Sequence, residues 1–258
     1  MPRQAGPRSR NIIGRIARFL SLTLLLVLAA CQREAGGNDG GAAGRVDAAD
    51  HDAFWLWAGV RPQPVLDDAR TIYILQGEVR GRPAHIVSQR PATPRVDHAE
   101  LWIVYRVETI IWTDAIMPQV LADLERWRAA GNRVRGVQID FDAATRGLAG
   151  YAAFLKQVRG QLPKGTAMSV TGLLDWSSRA DDPSGLNALA GVVDEVVLQT
   201  YQGRTTIKGY GAYMTHLGRL KIPFKIGLVQ HGEWTEPEGL KAQPYYRGDV
   251  VFLLNPAS

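Results

Sequence analysis

Short apolar runs alternate with helix-period segments along most of the chain, and this alternation limits the fold more than any other feature. Eight runs have the length and the β-branched and aromatic content of buried strands: 54–60, 71–79, 101–108, 133–142, 167–176, 192–202, 224–230 and 249–255. Three segments between them have helical periodicity: 115–130, 148–162 and 210–220. Strands that alternate with helices predict a parallel sheet covered by helices.

The count of eight strands predicts an α/β fold with a closed (β/α)8 barrel of the TIM type. The connections 61–70 and 81–99 are rich in Pro, Arg and Asp and lack a helical pattern. We therefore expect a compact barrel that is incompletely jacketed with helices. An open doubly wound parallel sheet is the alternative, because it is also built from alternating strands and helices.

The first thirty residues carry all of the chain's excess positive charge. Five of the 30 Lys and Arg residues precede Leu20, where no acid occurs, so the remaining 25 basic residues balance 25 acidic ones. Outside these thirty residues the chain has no net positive charge to attract the phosphates of a nucleic acid, so we expect no nucleic-acid partner. The apolar run Phe19–Ala30 suits the core of a signal peptide and is too short to span a membrane.

The sequence LAAC at residues 28–31 resembles the lipobox of bacterial lipoproteins. The resemblance implies a signal peptide at 1–30 and a membrane anchor at Cys31, acylated with chains such as palmitate. By the same resemblance, Gln32 favours the periplasmic side of the outer membrane. We expect a flexible Gly/Ala tether at 31–51 and a single barrel domain at 52–258. An ordinary secretory signal followed by a buried cysteine is the alternative.

The stretch RGVQIDFD, residues 135–142, places its acids on one face of a strand. Side chains alternate across a strand, so Gln138, Asp140 and Asp142 oppose the apolar Val137 and Ile139. Buried carboxylates are costly without partners or water. The pattern therefore predicts a functional cleft, and an internal ion-pair network is the alternative.

Polar and aromatic residues recur where the predicted strands end. The carboxyl ends of parallel barrel strands converge on one mouth. Acids, amides and aromatic rings together are typical of a carbohydrate site. No cluster has a metal-ligand spacing and no phosphate-binding glycine loop follows a strand, so we expect neither a metal nor a cofactor. The candidate residues are Trp57, Arg106, Gln138, Asp140, Asp142, Asp175, Trp176, Gln199, Tyr201 and Gln202.

RGVQIDFD resembles the fourth-strand motif of the family-18 glycoside hydrolases, the chitinase type, which reads Asp-Gly-x-Asp-x-Asp-x-Glu. Gly136 keeps the glycine, Asp140 falls on the third aspartate and Asp142 falls on the catalytic glutamate. Arg135 and Gln138 replace the first two aspartates, and Asp142 is one methylene shorter than the acid it replaces.

A second motif, QTYQ at residues 199–202, is similar to the Met-x-Tyr-Asp of the same family. The resemblance implies that Tyr201 helps to hold an acetamido group of the substrate, while Gln202 replaces an acid. Most of residues 52–258 resembles an uncharacterised family of bacterial lipoproteins through the runs QIDFDAATR, TGLLDW, LQTYQG and PFKIGLVQ. That likeness brings no established reaction.

Two functions remain open for a polysaccharide of the cell envelope or an exported one. A glycoside hydrolase would use Asp142 as general acid, with its pKa raised by Asp140 and by partial burial, and would use Asp140 and Tyr201 beside it. A degenerate barrel would bind the glycan without cutting it. In both cases the predicted sugar-binding residues are Gln138, Gln199, Asp175, Trp176, Trp57 and Gln202.

Overall fold

Eight parallel strands close into a barrel in the computed structural model, which describes residues 44–141, 148–179 and 185–256. Each strand pairs in parallel with the next, and the eighth pairs with the first. The predicted closed barrel is therefore confirmed, and the open sheet is wrong. The strands β1 to β8 are Ala53–Leu56, Thr71–Arg80, Glu100–Val107, Arg133–Asp140, Ala167–Leu173, Glu195–Gln199, Phe224–Val229 and Tyr246–Phe252.

Helices cover only part of the barrel, as the sequence predicts. The α-helices are α1 at Ile116–Ala129, α2 at Leu148–Gln161 and α3 at Gly211–Met214. Short 3-10 segments lie at Ala48–Asp50, Pro64–Leu66, Leu174–Arg179, Leu186–Leu189, Leu217–Arg219 and Leu240–Ala242. Short strands outside the barrel are Gly44–Arg45, His85–Ser88, Tyr201–Gln202, Thr205–Thr206 and Glu233–Trp234. Within the described ranges, no helix has both the length and the apolar character that crossing a membrane requires.

The segment 210–220 departs from the prediction of one continuous helix. It forms the single turn of α3 and then a separate 3-10 turn, Leu217–Arg219. Gly211 and Gly218 both fall within it. Glycine is among the weakest helix formers, so the apolar spacing that suggested a helix is not enough to sustain one.

Two apolar layers stabilise the barrel, one on each side of the sheet. The outer layer, beneath the helices, contains Val137 and Ile139, as the alternation in RGVQIDFD predicts. The inner layer fills the barrel with aromatic rings. The Tyr73 ring stacks on Trp102 with centroids 5.8 Å apart and contacts Trp55 at 5.7 Å. The barrel is thus a packed core up to its mouth.

A chain of hydrogen bonds crosses this interior. Trp55 Nε1 donates to Gln138 Oε1 at 2.7 Å, and Gln138 Nε2 donates to Ser169 Oγ at 3.0 Å. The hydroxyls of Ser169 and Tyr73 both donate to Glu195 Oε1, at 3.0 and 2.7 Å. Buried polar groups are stable only when they are paired in this way. Gln138 is therefore a structural residue inside the barrel.

Gly136 is required by the close approach of β4 and β5. A Cβ atom built on Gly136 would overlap the carbonyl oxygen of Ala167, its partner on the neighbouring strand. Only glycine fits this position, which explains the glycine in RGVQIDFD by packing alone.

The packed domain begins earlier than the boundary at residue 52. Gly44–Arg45 pairs with Glu233–Trp234 at the carboxyl end of β7. Val46 is buried there, and its backbone exchanges hydrogen bonds with His231 and Gly232. The predicted tether is therefore corrected: residues 44–51 belong to the domain, and we call 44–46 the N-terminal strap. The signal peptide, Cys31 and the tether up to residue 43 lie outside the described residues.

Candidate functional site

A cavity of about 790 Å³ opens at the carboxyl ends of the barrel strands. Its volume lies within the range of pockets that hold small ligands. Seven residues chosen from the sequence line this one cavity: Trp57, Arg106, Asp140, Asp175, Gln199, Tyr201 and Gln202. The other described residues of the wall are Leu173, Leu174, Gly203, Arg204, Ile207, Tyr213, Phe252 and Leu254.

Asp140 lies at the floor of the cavity, where β4 ends. Its side chain is buried, and one carboxylate oxygen, Oδ1, accepts a hydrogen bond of 2.7 Å from Thr171 Oγ1 on β5. On the other side, β4 pairs with β3 so that Asp140 is in register with Arg106. A carboxylate that accepts a hydroxyl bond in a buried setting is held in one orientation.

Three aromatic rings form one wall of the cavity. Phe252, the last residue of β8, packs against Trp57 with centroids 5.4 Å apart and against Tyr201 at 5.5 Å. Tyr201 also contacts Trp55 below it at 6.4 Å, so the wall continues into the barrel core. A rigid apolar wall of this kind suits the flat face of a sugar ring.

Phe252 was not predicted, although the sequence contains the signal that would have identified it. Val250, Phe252 and Leu254 follow the period of two and face the barrel interior or its mouth. Applying the same alternation at the end of β8 as at the end of β4 would have placed Phe252 in the site.

Two guanidinium groups also line the cavity, one from each side. Arg106 follows the inward-facing Trp102 and Val104 along β3. Arg204 comes after β6, where Gly203 turns the backbone at a φ of 59°. Its Nη2 donates to the carbonyl of Asn255 at 3.0 Å. Both side chains are exposed, so they face the contents of the cavity.

A third guanidinium supports the aromatic wall from outside it. Arg90 Nη2 lies 3.4 Å from the carbonyl of Leu56 and 3.5 Å from that of Trp57, where β1 ends. Burial without a carboxylate partner lowers the pKa of Arg90. Its contacts hold the backbone that carries the Trp57 ring.

Two of the predicted site residues that the structure describes do not line the cavity. Gln138 lies two residues deeper along β4 and is fully enclosed by its hydrogen-bond partners. Trp176 is fully buried and packs against Tyr151 of α2 at 6.0 Å. Its misplacement follows from the end of β5 at Leu173, because the subsequent 3-10 turn breaks the alternation. Asp142 lies outside the described residues.

Polar and aromatic side chains that follow β7 take structural positions. Gln230 exchanges amide hydrogen bonds of 3.0 and 2.8 Å with Gln63. Trp234 stacks on Tyr210 at 5.2 Å, beside the N-terminal strap. Across the described part of the chain, no group of three or more His, Cys, Asp or Glu side chains could hold a metal ion.

Comparison with known proteins gives one family match, over residues 108–210, to a domain of unknown function, DUF3142. No curated protein matches the chain. Among solved structures, the Bacillus cereus spore cortex-lytic enzyme SleL is 16% identical with a TM-score of 0.45. That match covers 69% of this chain and 49% of the enzyme, so this chain spans about half of the enzyme's length.

Two further solved structures are similar at the same level. The chitinase domain of the spore coat protein CotE from Clostridium difficile is 12% identical with a TM-score of 0.46, over 75% of this chain and 67% of that one. A xylanase-α-amylase inhibitor protein, XAIP-III, is 10% identical with a TM-score of 0.48, over 78% of this chain and 93% of that one.

Proposed function

We propose that the barrel mouth binds a segment of polysaccharide and that the protein acts on it as a glycoside hydrolase. One observation carries this proposal: carboxylates, amides and an aromatic wall, contributed by strands far apart in sequence, line a single open cavity. Sugar hydroxyls need polar partners, and the faces of sugar rings pack on aromatic side chains. The cavity supplies both kinds of contact.

In the proposed reaction, a carboxylic acid protonates the glycosidic oxygen as the bond to the leaving sugar breaks. We assign this role to Asp142 because the alternation of side chains in RGVQIDFD predicts that it shares a face with Asp140, two residues before it. Asp140, held by Thr171, orients the reacting groups. Gln199 and Tyr201 contact the sugar from the wall of the cavity. The resemblance of RGVQIDFD and QTYQ to the family-18 motifs supports these roles.

The test uses the full-length protein and a panel of polysaccharides that includes N-acetylated and galactosamine-containing glycans. We expect Asp142→Asn to lower product release by about 100-fold or more, since general acid catalysis contributes that much. Binding of the same glycan should change little. An Asp142→Asn protein that retains full activity would contradict the catalytic role.

Binding is tested separately through the aromatic wall. We expect Trp57→Ala to weaken binding of the glycan by about 10-fold, in keeping with the loss of one stacked ring. Trp234→Ala is the matched control, because the Trp234 ring stacks on Tyr210 and is not among the residues that line the cavity. Equal effects of the two substitutions would show that the glycan does not rest on the aromatic wall.

A second candidate function is glycan binding without cleavage. The departures from the family-18 motif favour it, because Arg135 and Gln138 replace two aspartates and Asp142 is one methylene shorter than the glutamate it replaces. Small errors in the position of a catalytic group are costly in rate. Specific binding to a glycan with no product after long incubation, and identical behaviour of Asp142→Asn, would establish this function over hydrolysis.

We also propose that Cys31 carries the lipid anchor implied by the LAAC sequence and that the barrel faces the periplasm from the outer membrane. Radiolabelled palmitate should be incorporated into the wild-type protein and not into Cys31→Ser. Membrane fractionation should then recover the wild type with the outer membrane. Labelling of Cys31→Ser equal to that of the wild type would disprove the anchor.

A further inference from the structure

The charges at the mouth are not equivalent to one another. Of the four charged side chains that line the cavity within the described part of the chain, Asp140 is buried and Asp175 is partly buried, while Arg106 and Arg204 are exposed. A ligand that enters the cavity therefore meets two exposed guanidinium groups, with Asp140 recessed at the floor. Among the described residues, the exposed charges at the mouth are therefore both positive.

The two cations also have no carboxylate partner in the described part of the chain. The side chain of Arg106 makes no hydrogen bond and no ion pair there, and the side chain of Arg204 makes one hydrogen bond, to a backbone carbonyl. By contrast, the carboxylate of Asp140 is occupied by Thr171. Exposed arginines on a protein surface often pair with nearby acids, as Arg126 does with Asp123 and Arg70 with Asp52. The mouth therefore keeps its two guanidinium groups available.

The positions of Arg106 and Arg204 place them across the mouth from each other. Arg106 belongs to β3 and Arg204 follows β6, three strands away around an eight-stranded barrel. A guanidinium presents donors in a fork that matches the two oxygens of a carboxylate or the oxygens of a phosphate or sulfate. A chain that crosses the cavity between them would meet an arginine on each side.

We infer that the glycan bound in the mouth carries acidic groups and that Arg106 and Arg204 bind them. This inference rests on the proposed function and specifies the substrate class, an anionic polysaccharide. The shared chemistry is an oxyanion on the sugar, either a uronic carboxylate or a phosphate or sulfate ester. The aromatic wall of Trp57 and Phe252 then binds the sugar ring while the arginines select its charge.

The experiment measures affinity by calorimetry on the full-length protein with three probes. Oligogalacturonate carries a carboxylate on each sugar, its fully methyl-esterified form has the same shape without the charge, and a sulfated oligosaccharide provides the ester. We expect an acidic probe to bind at least about 10-fold more tightly than the methyl ester, with an affinity that falls as salt rises. Whether the carboxylate or the sulfate binds more tightly identifies the source of the oxyanion.

The variants are Arg106→Gln and Arg204→Gln, with Arg135→Gln as the matched control. Arg135 is an exposed arginine of the same barrel near the opposite end of β4, away from the cavity. We expect each mouth variant to lose about 10-fold in affinity for the acidic probe. Affinity for the methyl ester should not change, and Arg135→Gln should match the wild type.

Three outcomes would overturn the inference, and they have different meanings. Equal affinity for acid and ester, unaffected by either mouth variant, rejects the acidic ligand and leaves glycan binding intact. Tighter binding of single-stranded nucleic acid than of any oligosaccharide, lost in Arg106→Gln, shows that the arginines bind a different polyanion. Absence of binding to every oligosaccharide in the wild type rejects the proposed function itself.

Discussion

The hydroxyl of Thr171 donates a 2.7 Å hydrogen bond to the carboxylate of Asp140, joining β5 to β4 at the floor of the cavity. Both side chains are buried. The bond is charge-assisted when the carboxylate is ionised, which makes it stronger than a bond between neutral groups. It links the packing of the barrel to the geometry of the site, because a shift of either strand would move Asp140.

Replacing Thr171 by Val should show how much the hydrogen bond contributes to stability and how much to the positioning of Asp140. Val keeps the shape of the side chain and removes the donor. We expect the free energy of unfolding to fall by about 1.5–3 kcal/mol, the range for hydrogen bonds to charged groups. Glycan cleavage or binding should fall by about 10-fold. Thr171→Ser, which restores the hydroxyl, should recover function more fully than stability. Loss of stability with unchanged function would show that Asp140 needs no positioning.

Gly136 should tolerate no side chain. We expect Gly136→Ala to lower the free energy of unfolding by at least about 2 kcal/mol, because the added Cβ overlaps the carbonyl of Ala167. Gly150→Ala is the control: Gly150 is exposed in α2 with no atom within 4 Å of an added Cβ. It should stabilise the protein by about 0.5–1 kcal/mol. Urea denaturation measures both, and a neutral Gly136→Ala would contradict the packing.

Gln138→Leu should affect stability and leave ligand binding unchanged. The substitution leaves the buried Trp55 N–H without its acceptor, at a cost of about 1–3 kcal/mol. Because Gln138 is enclosed within the barrel, affinity for a glycan should remain within about twofold of the wild type. Thermal denaturation and calorimetry on the same sample test both parts. Loss of binding without loss of stability would return Gln138 to the site.

Asp249 should make the free energy of unfolding depend on pH, and a substitution at this residue can reveal the direction of that dependence. Burial raises its pKa above the ordinary value of 3.8, although the Tyr246 hydroxyl at 2.6 Å and His51 at 3.9 Å oppose the shift. An acid with a raised pKa in the folded state stabilises the fold while protonated, and that contribution disappears as pH rises through the folded pKa. Glu236 and Lys241 act on it more weakly.

In the variant Asp249→Asn the side chain is neutral at every pH, so the stabilisation by a neutral group at this position is not lost as pH rises. We expect the free energy of unfolding of Asp249→Asn, minus that of the wild type, to increase as pH rises from about 4 and then to level off above the folded pKa. Urea denaturation at a series of pH values measures the difference. A difference that decreases over the same range would mean that the ionised carboxylate is the form stabilised by the fold.

The barrel could be predicted because its determinants are local. Apolar runs and helix-period segments gave all eight strands, and the predicted limits of α1 and α2 differ from the observed ones by one residue at most. The period of two placed Val137 and Asp140 on the correct faces of β4. These signals arise from side chains a few residues apart, and a single sequence contains them in full.

The periodicity of the sequence does not predict how deep in the barrel a residue lies. Gln138 and Asp140 share a face, yet a separation of about 6.6 Å along the strand puts one in the core and the other at the mouth. Trp176 was misplaced because the end of β5 depends on tertiary packing. Arg204 was not singled out, since its position follows from closure of the barrel and has no local pattern.

The N-terminal strap determines where the chain enters the barrel domain. The strap joins the domain at the carboxyl end of β7, and the chain leaves β8 through Leu254 and Pro256 on the same side. Both points of attachment therefore lie at the rim of the cavity. A partner or tag fused directly before Gly44 would therefore be attached on the side of the barrel at which the cavity opens.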